Sequence, residues 1–365
     1  MRNFKHLLFI LVCMACVMPT KVSACTGIQV QATDGSVVFA RTMEFGTPLK
    51  SNILFVPREQ NWISQAPNNS DGMTWQNKYA FLGVNAFNKK FFIDGVNEKG
   101  LYIGCFWFPG NAKYQEGSED TANIVTPQML ATLVLGSCAT IEDVQKKISE
   151  ITLVGVEFKE LNMVLPLHWV VMDSTGKGLA IEPIGGNVVV KENPVGVFTN
   201  SPTFSWHLQN LSNYINLTPS NSQPLKIDEF IINGIGQGTG LLGIPGDLTP
   251  PSRFVRAALY RNAAEKVDTT DSAINQAFLL INNISIVKGI ARETSSNGQT
   301  SYDHTQWTAV YDLKRHRCYF RSYNNQDINM VQLDKLPLDG DQVLSIPLWD
   351  TKPDFNDATG KAAPL

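Results

Sequence analysis

A cysteine stands at position 25, directly after Val22-Ser23-Ala24. Small residues at that point mark a signal-peptidase cut. A cut between Ala24 and Cys25 puts a thiol and a free α-amine on one residue. An α-amine titrates near about 7.7–8.0, well below a lysine, so it accepts the thiol proton near neutrality without a histidine. That is a nucleophile with its base attached, as covalent catalysis at a carbonyl requires. The same four residues also fit a bacterial lipoprotein signal, which would make the chain an exported lipoprotein or binding module. A lipid on the Cys25 sulfur removes the nucleophile. Against that use, Pro19, Thr20 and Lys21 separate the apolar run from the cut. The mass of the mature chain separates the two readings.

The next charged groups lie on a hairpin. Residues 28–32 and 36–41 alternate in strand fashion around Asp34-Gly35, a strong turn pair. A two-residue turn there pairs Thr33 with Ser36 and carries Cys25 opposite Glu44, with Arg41 one pleat away. A carboxylate near the α-amine orients it, and a guanidinium near the sulfur lowers the thiol pKa. Strict alternation puts Arg41 and Glu44 on opposite faces, so both face Cys25 only with a local bulge. On these residues alone, solvated strand ends are the better account of the two charges.

Further strand patterns fall at 91–93, 101–108, 168–172, 179–182, 188–190, 195–199, 307–312 and 318–322. Helical patterns cover 127–135 and then a stretch capped by Thr140. That stretch has Glu142 and Asp143 in its first turn and Lys146 and Lys147 later. Two more run over 253–267, opened by Pro250-Pro251-Ser252, and over 272–282. Strands with helices in separate blocks imply an α+β fold rather than a parallel α/β one. No linker, repeat or low-complexity stretch interrupts residues 25–365, which read as a single domain.

Composition narrows the partners. Arg2 and Lys5, the apolar run 7–18 and the small residues before the cut give the three-part secretory layout, and the run is too short to span a bilayer. Residues 1–24 thus read as a cleaved signal, and the chain as exported, periplasmic or secreted. Removing Arg2, Lys5 and Lys21 from the 30 basic residues leaves 27 against 33 acids, a net charge of −6. Nucleic acid is then not an expected partner, and no later segment has the apolar length of a membrane span. Cys13 and Cys16 leave with the signal. Cys105 and Cys138 sit in apolar runs and read as inert buried thiols; with Cys318 their spacing suggests no disulfide framework. His168, His207, His304 and His316 have no ligand spacing, so no metal is expected. The G-x-S-x-G elbow of many serine hydrolases is absent. The glycine-rich run 236–246 lacks a phosphate-loop lysine and reads as a loop lining the substrate mouth.

Six blocks then stand in order: CTG at 25–27, ARTMEF at 40–45, DGVNEKGL at 94–101, FTNSPTFSWH at 198–207, GQGTGLLGIPGD at 236–247 and TPPSRFVR at 249–256. With these the chain resembles the choloylglycine hydrolase and penicillin V acylase family of linear amide hydrolases, over nearly all of its mature length. The resemblance implies the four-layer αββα sandwich of N-terminal-nucleophile hydrolases, with two antiparallel sheets between helices. It implies a homo-oligomer, tetrameric in the family, and no cofactor. The substrate would be a small-molecule amide: a conjugated bile salt, penicillin V or an N-acyl homoserine lactone.

Residue by residue, the resemblance makes Cys25 the attacking thiol and its own amine the proton shuttle. Asn200 would donate to the oxyanion, a role worth roughly 3–4 kcal/mol for one preorganised donor. Asn before Ser-Pro also commonly starts a turn. Arg41 and Arg253 would flank the sulfur. Arg253 opposes the dipole at its helix start, which favours a functional reason for its presence. Two positions depart from the pattern. Glu44 stands for the family's aspartate, one methylene longer. Trp107 stands where bile salt hydrolases usually have asparagine and penicillin V acylases tyrosine or tryptophan. An indole wall suits flat or apolar acyl groups, its backbone N–H remains available as a donor, and plain core is the alternative. This departure argues against bile-salt activity and leaves the amide chemistry intact.

Overall fold

The computed structural model describes residues 24–117, 119–294, 298–348, 353 and 355–362. The expected signal, apart from Ala24, lies outside the described residues. Strands β1 (Cys25–Gln31) and β2 (Val37–Glu44) form the expected hairpin, but around a longer turn. Ala32 N donates to Ser36 O at 3.0 Å and Gly35 N donates to Ala32 O at 3.1 Å. Three residues therefore occupy the turn. Gly35, at φ +81°, supplies the left-handed residue that closes it. Asp34 accepts from Ser36 N at 2.8 Å, and its bonds to Ser36 hold its carboxyl below the usual range. The added residue shifts the register by one: Cys25 faces Met43, not Glu44, and Gly27 faces Arg41.

The remaining main strands, in chain order, are β3 (Asn52–Val56), β4 (Phe81–Asn85), β5 (Phe92–Asn97), β6 (Tyr102–Trp107), β7 (Leu167–Met172), β8 (Gly178–Ile184), β9 (Asn187–Glu192), β10 (Val197–Phe198), β11 (Thr305–Asp312), β12 (Arg317–Ser322), β13 (Asn329–Gln332) and β14 (Leu344–Pro347). A six-stranded sheet has the order β10-β1-β2-β11-β12-β13, and an eight-stranded sheet the order β9-β8-β7-β6-β5-β4-β3-β14. Neighbouring strands within both sheets are antiparallel. Strand β2 is buried along its whole length, because it is covered on both faces.

Those covers are the opposite sheet and a helix layer. Helices α4 (Pro250–Ala263) and α5 (Thr270–Asn282) pack on β1 and β2, and α1 (Leu130–Ser137) packs on β5 and β6. Phe39, Phe55, Phe81, Phe92, Tyr102 and Trp307 are fully buried among the large side chains of the core. The architecture is the expected αββα sandwich. Helix α2 (Ile141–Glu150) begins at Thr140 with a reciprocal capping box to Asp143. Helix α3 (Phe204–Asn210) follows the 198–203 segment and was not legible as a helix.

One feature stands apart from the sandwich. The hairpin of Leu225–Ile227 and Phe230–Ile232 is exposed, and Leu225, Ile227, Phe230 and Ile232 are open to solvent.

Candidate active site at the start of the first strand

Cys25 is the first residue of β1 and is 1% exposed. Its side chain points between the sheets, where Sγ lies 3.4 Å from Met43 Sδ. The thiol borders a narrow apolar cavity whose walls include Met43, Phe45, Phe91, Trp107 and Leu165. The Cys25 nitrogen donates to Asn200 Oδ1 at 2.6 Å. In this full-length chain that nitrogen is still in peptide linkage to Ala24, so the amide N–H stands where a free amine would be. The Ala24 carbonyl accepts from Glu44 N at 3.0 Å.

The shifted register decides where the charges go. Arg41 shares the inter-sheet face with Met43 and Cys25, and no bulge in the β1–β2 pairing is needed. Gly27 opposite it has no room for a side chain, since a Cβ there would come within 2.6 Å of the Phe39 ring. The Arg41 guanidinium donates to the carbonyls of Ile93 at 3.3 Å and Cys105 at 3.2 Å, and to Met43 Sδ at 3.4 Å. It lies over the Phe106 ring, 4.6 Å from the centroid. Its Nε is 3.6 Å from Asp94 Oδ2, and both side chains are fully buried.

Arg253 arrives from the other face of the sheet. It sits in the first turn of α4, which Pro250 opens with a fixed φ. Its Nη1 donates to Cys25 O at 2.6 Å and to Thr26 Oγ1 at 2.5 Å, and its Nη2 donates to Asn200 Oδ1 at 2.9 Å. Glu44 faces the same side. Its carboxylate accepts from Thr42 Oγ1 at 2.9 Å and Thr305 Oγ1 at 2.5 Å. The β2–β11 pairing is irregular between Thr305 and Trp307, beside Glu44. Each arginine thus has one buried carboxylate on its own side: Asp94 for Arg41 and Glu44 for Arg253.

Burial governs the titration of these groups. It pushes the Cys25 thiol up, while Arg41, a hydrogen bond from the Glu44 backbone and Arg253 pull it down and the Glu44 charge raises it further. The expectation of a lowered thiol pKa is therefore reversed in this chain, because desolvation outweighs both guanidiniums. Burial lifts Glu44 to about 7 against the pull of Arg253, Thr305 and Thr42. Burial likewise lifts Asp94 to about 6, against Arg41 and the Tyr311 hydroxyl, which donates at 2.7 Å. Cys105 and Cys138 are buried thiols pushed up to about 12, as their apolar surroundings imply.

Asn200 follows β10, and it is fixed at three points. Its Oδ1 takes Cys25 N and Arg253, its Nδ2 donates to Trp107 O at 2.9 Å, and its own carbonyl lies 2.8 Å from His207 Nε2. The amide nitrogen carries a second N–H beyond the one given to Trp107. His207, on α3, stacks on Phe254 at 4.7 Å between centroids, and burial drops its pKa to about 4, so it is neutral and donates.

The structure brings Cys25, Arg41, Glu44, Trp107, Asn200 and Arg253 to one place. Sequence reasoning missed Met43, Asp94, Thr305 and His207 as their supports. Three of these lie inside blocks already singled out, at 40–45, 94–101 and 198–207, so the signal was present without a role attached to it. Thr305 had no sequence signal, because it comes from a distant strand. The glycine-rich loop at 236–247 does not line the cavity at Cys25. It continues instead from the exposed hairpin, and Arg256 ties it down through the carbonyls of Pro245 and Asp247. Among the described residues no cluster of His, Cys, Asp and Glu is placed to hold a metal ion, and no helix is long and apolar enough to cross a membrane.

A family model described as linear amide C–N hydrolases, choloylglycine hydrolase family, matches residues 25–346. A bile salt hydrolase/transferase of Clostridium perfringens is 33% identical over 322 residues, covering 87% of this chain and 95% of that protein. The crystal structure of a conjugated bile acid hydrolase from Clostridium perfringens superposes with a TM-score of 0.82 at 30% identity, covering 92% of this chain and 100% of that one. A penicillin V acylase from Agrobacterium tumefaciens superposes with a TM-score of 0.72 at 25% identity, covering 90% and 93%.

Proposed function

This chain belongs to the choloylglycine hydrolase family of linear amide C–N hydrolases, and on that premise we propose that Cys25, freed at its α-amine by removal of residues 1–24, is its nucleophile. The observation that carries the proposal is the 2.6 Å bond from the Cys25 nitrogen to Asn200, on a residue whose thiol borders an apolar cavity. The α-amine takes the thiol proton, and Sγ attacks the amide carbonyl. The oxyanion receives the second N–H of Asn200. The α-ammonium then gives its proton to the leaving nitrogen as the C–N bond breaks. Water, deprotonated by the same amine, attacks the thioester and releases the acid with the Cys25 thiol restored. Arg41 and Arg253 offset the cost of a thiolate in a buried site. Arg253, with Glu44 on its own face, also keeps Asn200 Oδ1 turned toward the amine.

The test is Cys25→Ala in the mature protein, which is expected to keep its fold and lose amide hydrolysis. Activity that survives the change would sink the proposal. N-terminal sequencing of the mature chain is expected to read Cys-Thr-Gly-Ile. A lipid-blocked N-terminus would favour the lipoprotein reading instead, a use the buried thiol opposes.

For the substrate we propose an amide of an aromatic or fatty acid rather than a bulky steroid conjugate. Trp107 lines the cavity and packs edge-on against Phe45, with centroids 5.7 Å apart, which gives a flat apolar wall. Such a wall rewards a fitting acyl group by about 1–3 kcal/mol. Glycocholate, taurocholate, penicillin V and a long-chain acyl homoserine lactone, assayed side by side, decide it. A preference for glycocholate of about tenfold or more, roughly 1.4 kcal/mol, would overturn the reading of Trp107 and leave Cys25 untouched. We further propose that the enzyme is exported to the periplasm or beyond. It also assembles with copies of itself, and the exposed apolar hairpin at 225–232 is the surface an assembly would cover.

A further inference from the structure

The cavity beside Cys25 holds one side-chain amide in an otherwise apolar wall. Gln128 belongs to the 3-10 turn Pro127–Met129 that opens into α1, and it is 7% exposed. It lines the cavity together with Phe45, Phe91, Trp107 and Leu167. Its Oε1 is buried without a hydrogen-bond partner, and so is the neighbouring Thr126 Oγ1. Gln128, Phe91 and Thr126 also line a second, outer hollow that carries Lys89, Lys90 and Lys159. Gln128 therefore stands where the apolar cavity that starts at the nucleophile meets a polar hollow.

An amide oxygen left unpaired in such a place costs about 1–3 kcal/mol. Leucine or methionine at that position would fill the same wall without that cost. The turn itself does not call for glutamine, because its bonds are made by the backbone and Pro127. The amide is accounted for if something that enters the cavity pairs with it. A purely hydrocarbon acyl group does not: it displaces any water from the oxygen and leaves it bare. A hydroxyl does, since it both donates and accepts and so pairs with either end of the amide.

We propose that the acyl group this enzyme accepts carries a hydroxyl, seated against Gln128, and that Gln128 is the residue that selects for it. The inference rests on the cavity being the acyl site of the Cys25 amidase. A site built to pair a substrate hydroxyl discriminates against the analogue without one, because the protein group is then left unpaired.

The experiment uses the mature protein and a series of N-acyl glycines on one straight saturated chain. One member is unsubstituted, and the others carry a hydroxyl moved stepwise along the chain. The wild type is expected to cleave one hydroxylated isomer with kcat/KM about tenfold or more above the unsubstituted amide, roughly 1.4 kcal/mol. In Gln128→Met that preference is expected to fall to about twofold or less, with the unsubstituted amide cleaved at least as fast as by the wild type. Gln128→Glu, which keeps an acceptor at the same point, is expected to retain the preference. A wild type that prefers no isomer overturns the inference, as does a preference that Gln128→Met leaves intact. Failure of the underlying amidase reading looks different: neither protein then turns over any member of the series.

Discussion

Two fully buried guanidiniums beside one thiol demand compensation, because an unpaired charge in a dry interior is costly. Asp94 supplies it between the sheets. Replacing it by asparagine keeps the shape and deletes the charge, so Arg41 is left without its carboxylate. Breaking a buried pair from one side typically costs about 3–5 kcal/mol, and Asp94→Asn is expected to show a loss of that order in denaturant unfolding. A loss below about 1 kcal/mol would mean that the carbonyls of Ile93 and Cys105 hold Arg41 unaided. The variant also tests the electrostatics of the thiol: with Asp94 neutral, Arg41 pulls harder, and alkylation of Cys25 is expected to reach half its limiting rate at a lower pH. Asn200→Ala probes the opposite quantity. Its Oδ1 touches the resting site, but the donor role proposed for it belongs to the transition state, so kcat is expected to fall about a hundredfold or more with little change in KM. An effect confined to KM would make Asn200 a binding residue.

At the scale of elements the site depends on a turn. The three residues 33–35 set which face of β2 meets Cys25, and a slip of one residue exchanges the faces entirely. Deleting Ser36 keeps the three-residue turn and moves each later residue of β2 up by one position, which pulls Glu44 opposite Cys25 and swings Arg41 and Met43 toward the helices. Amide hydrolysis is expected to vanish in that variant, whereas Gly35→Val keeps the register and only strains a left-handed position. That strain costs about 1–2 kcal/mol, seen as a lower Tm with kcat unchanged. An active Ser36 deletion would show that the register does not place the arginine. The sequence showed the hairpin and the opposed faces of Arg41 and Glu44, because alternation has a period of two. It left the turn length open, because Asp-Gly serves two- and three-residue turns alike. Strands β3 and β4 escaped for a related reason: buried on both faces, as apolar runs without alternation, they carry no period to read. Helix α3 is short, and its start is set by Thr203 after Ser-Pro rather than by any apolar stripe. Pairings such as β2 with β11 join residues some 260 positions apart, and a single sequence holds no local signal for them. The proposed nucleophile Cys25 and the arginines beside it were singled out through chemistry and resemblance. Their carboxylate and imidazole supports waited on those long-range pairings.

Across the whole molecule, buried titratable groups pull stability in opposite directions with pH. Glu44 rises from 4.5 to about 7 and Asp94 from 3.8 to about 6, both chiefly through burial. Between those values the folded chain holds more protons than the unfolded one, so both groups make stability fall as pH climbs from about 4 toward 7. His207 does the reverse. Its value drops from 6.5 to about 4 on burial, its neutral ring donating to the Asn200 carbonyl. Between pH 4 and 6.5 the unfolded chain then holds more protons on this group, and its contribution grows as pH rises. The two trends overlap over most of the same window, so the wild-type profile is flatter than any of its parts. His207→Gln removes the rising part while keeping a donor for Asn200. The wild type is therefore expected to exceed the variant in Tm by more at pH 7 than at pH 4.5, because at the lower pH the wild type must keep its imidazole neutral against its own titration. The variant taken alone is expected to lose stability more steeply than the wild type between those two pH values. Equal Tm differences at both would show that His207 takes up a proton in the folded state as readily as in the unfolded one, and the support assigned to it behind Asn200 would fall with that result.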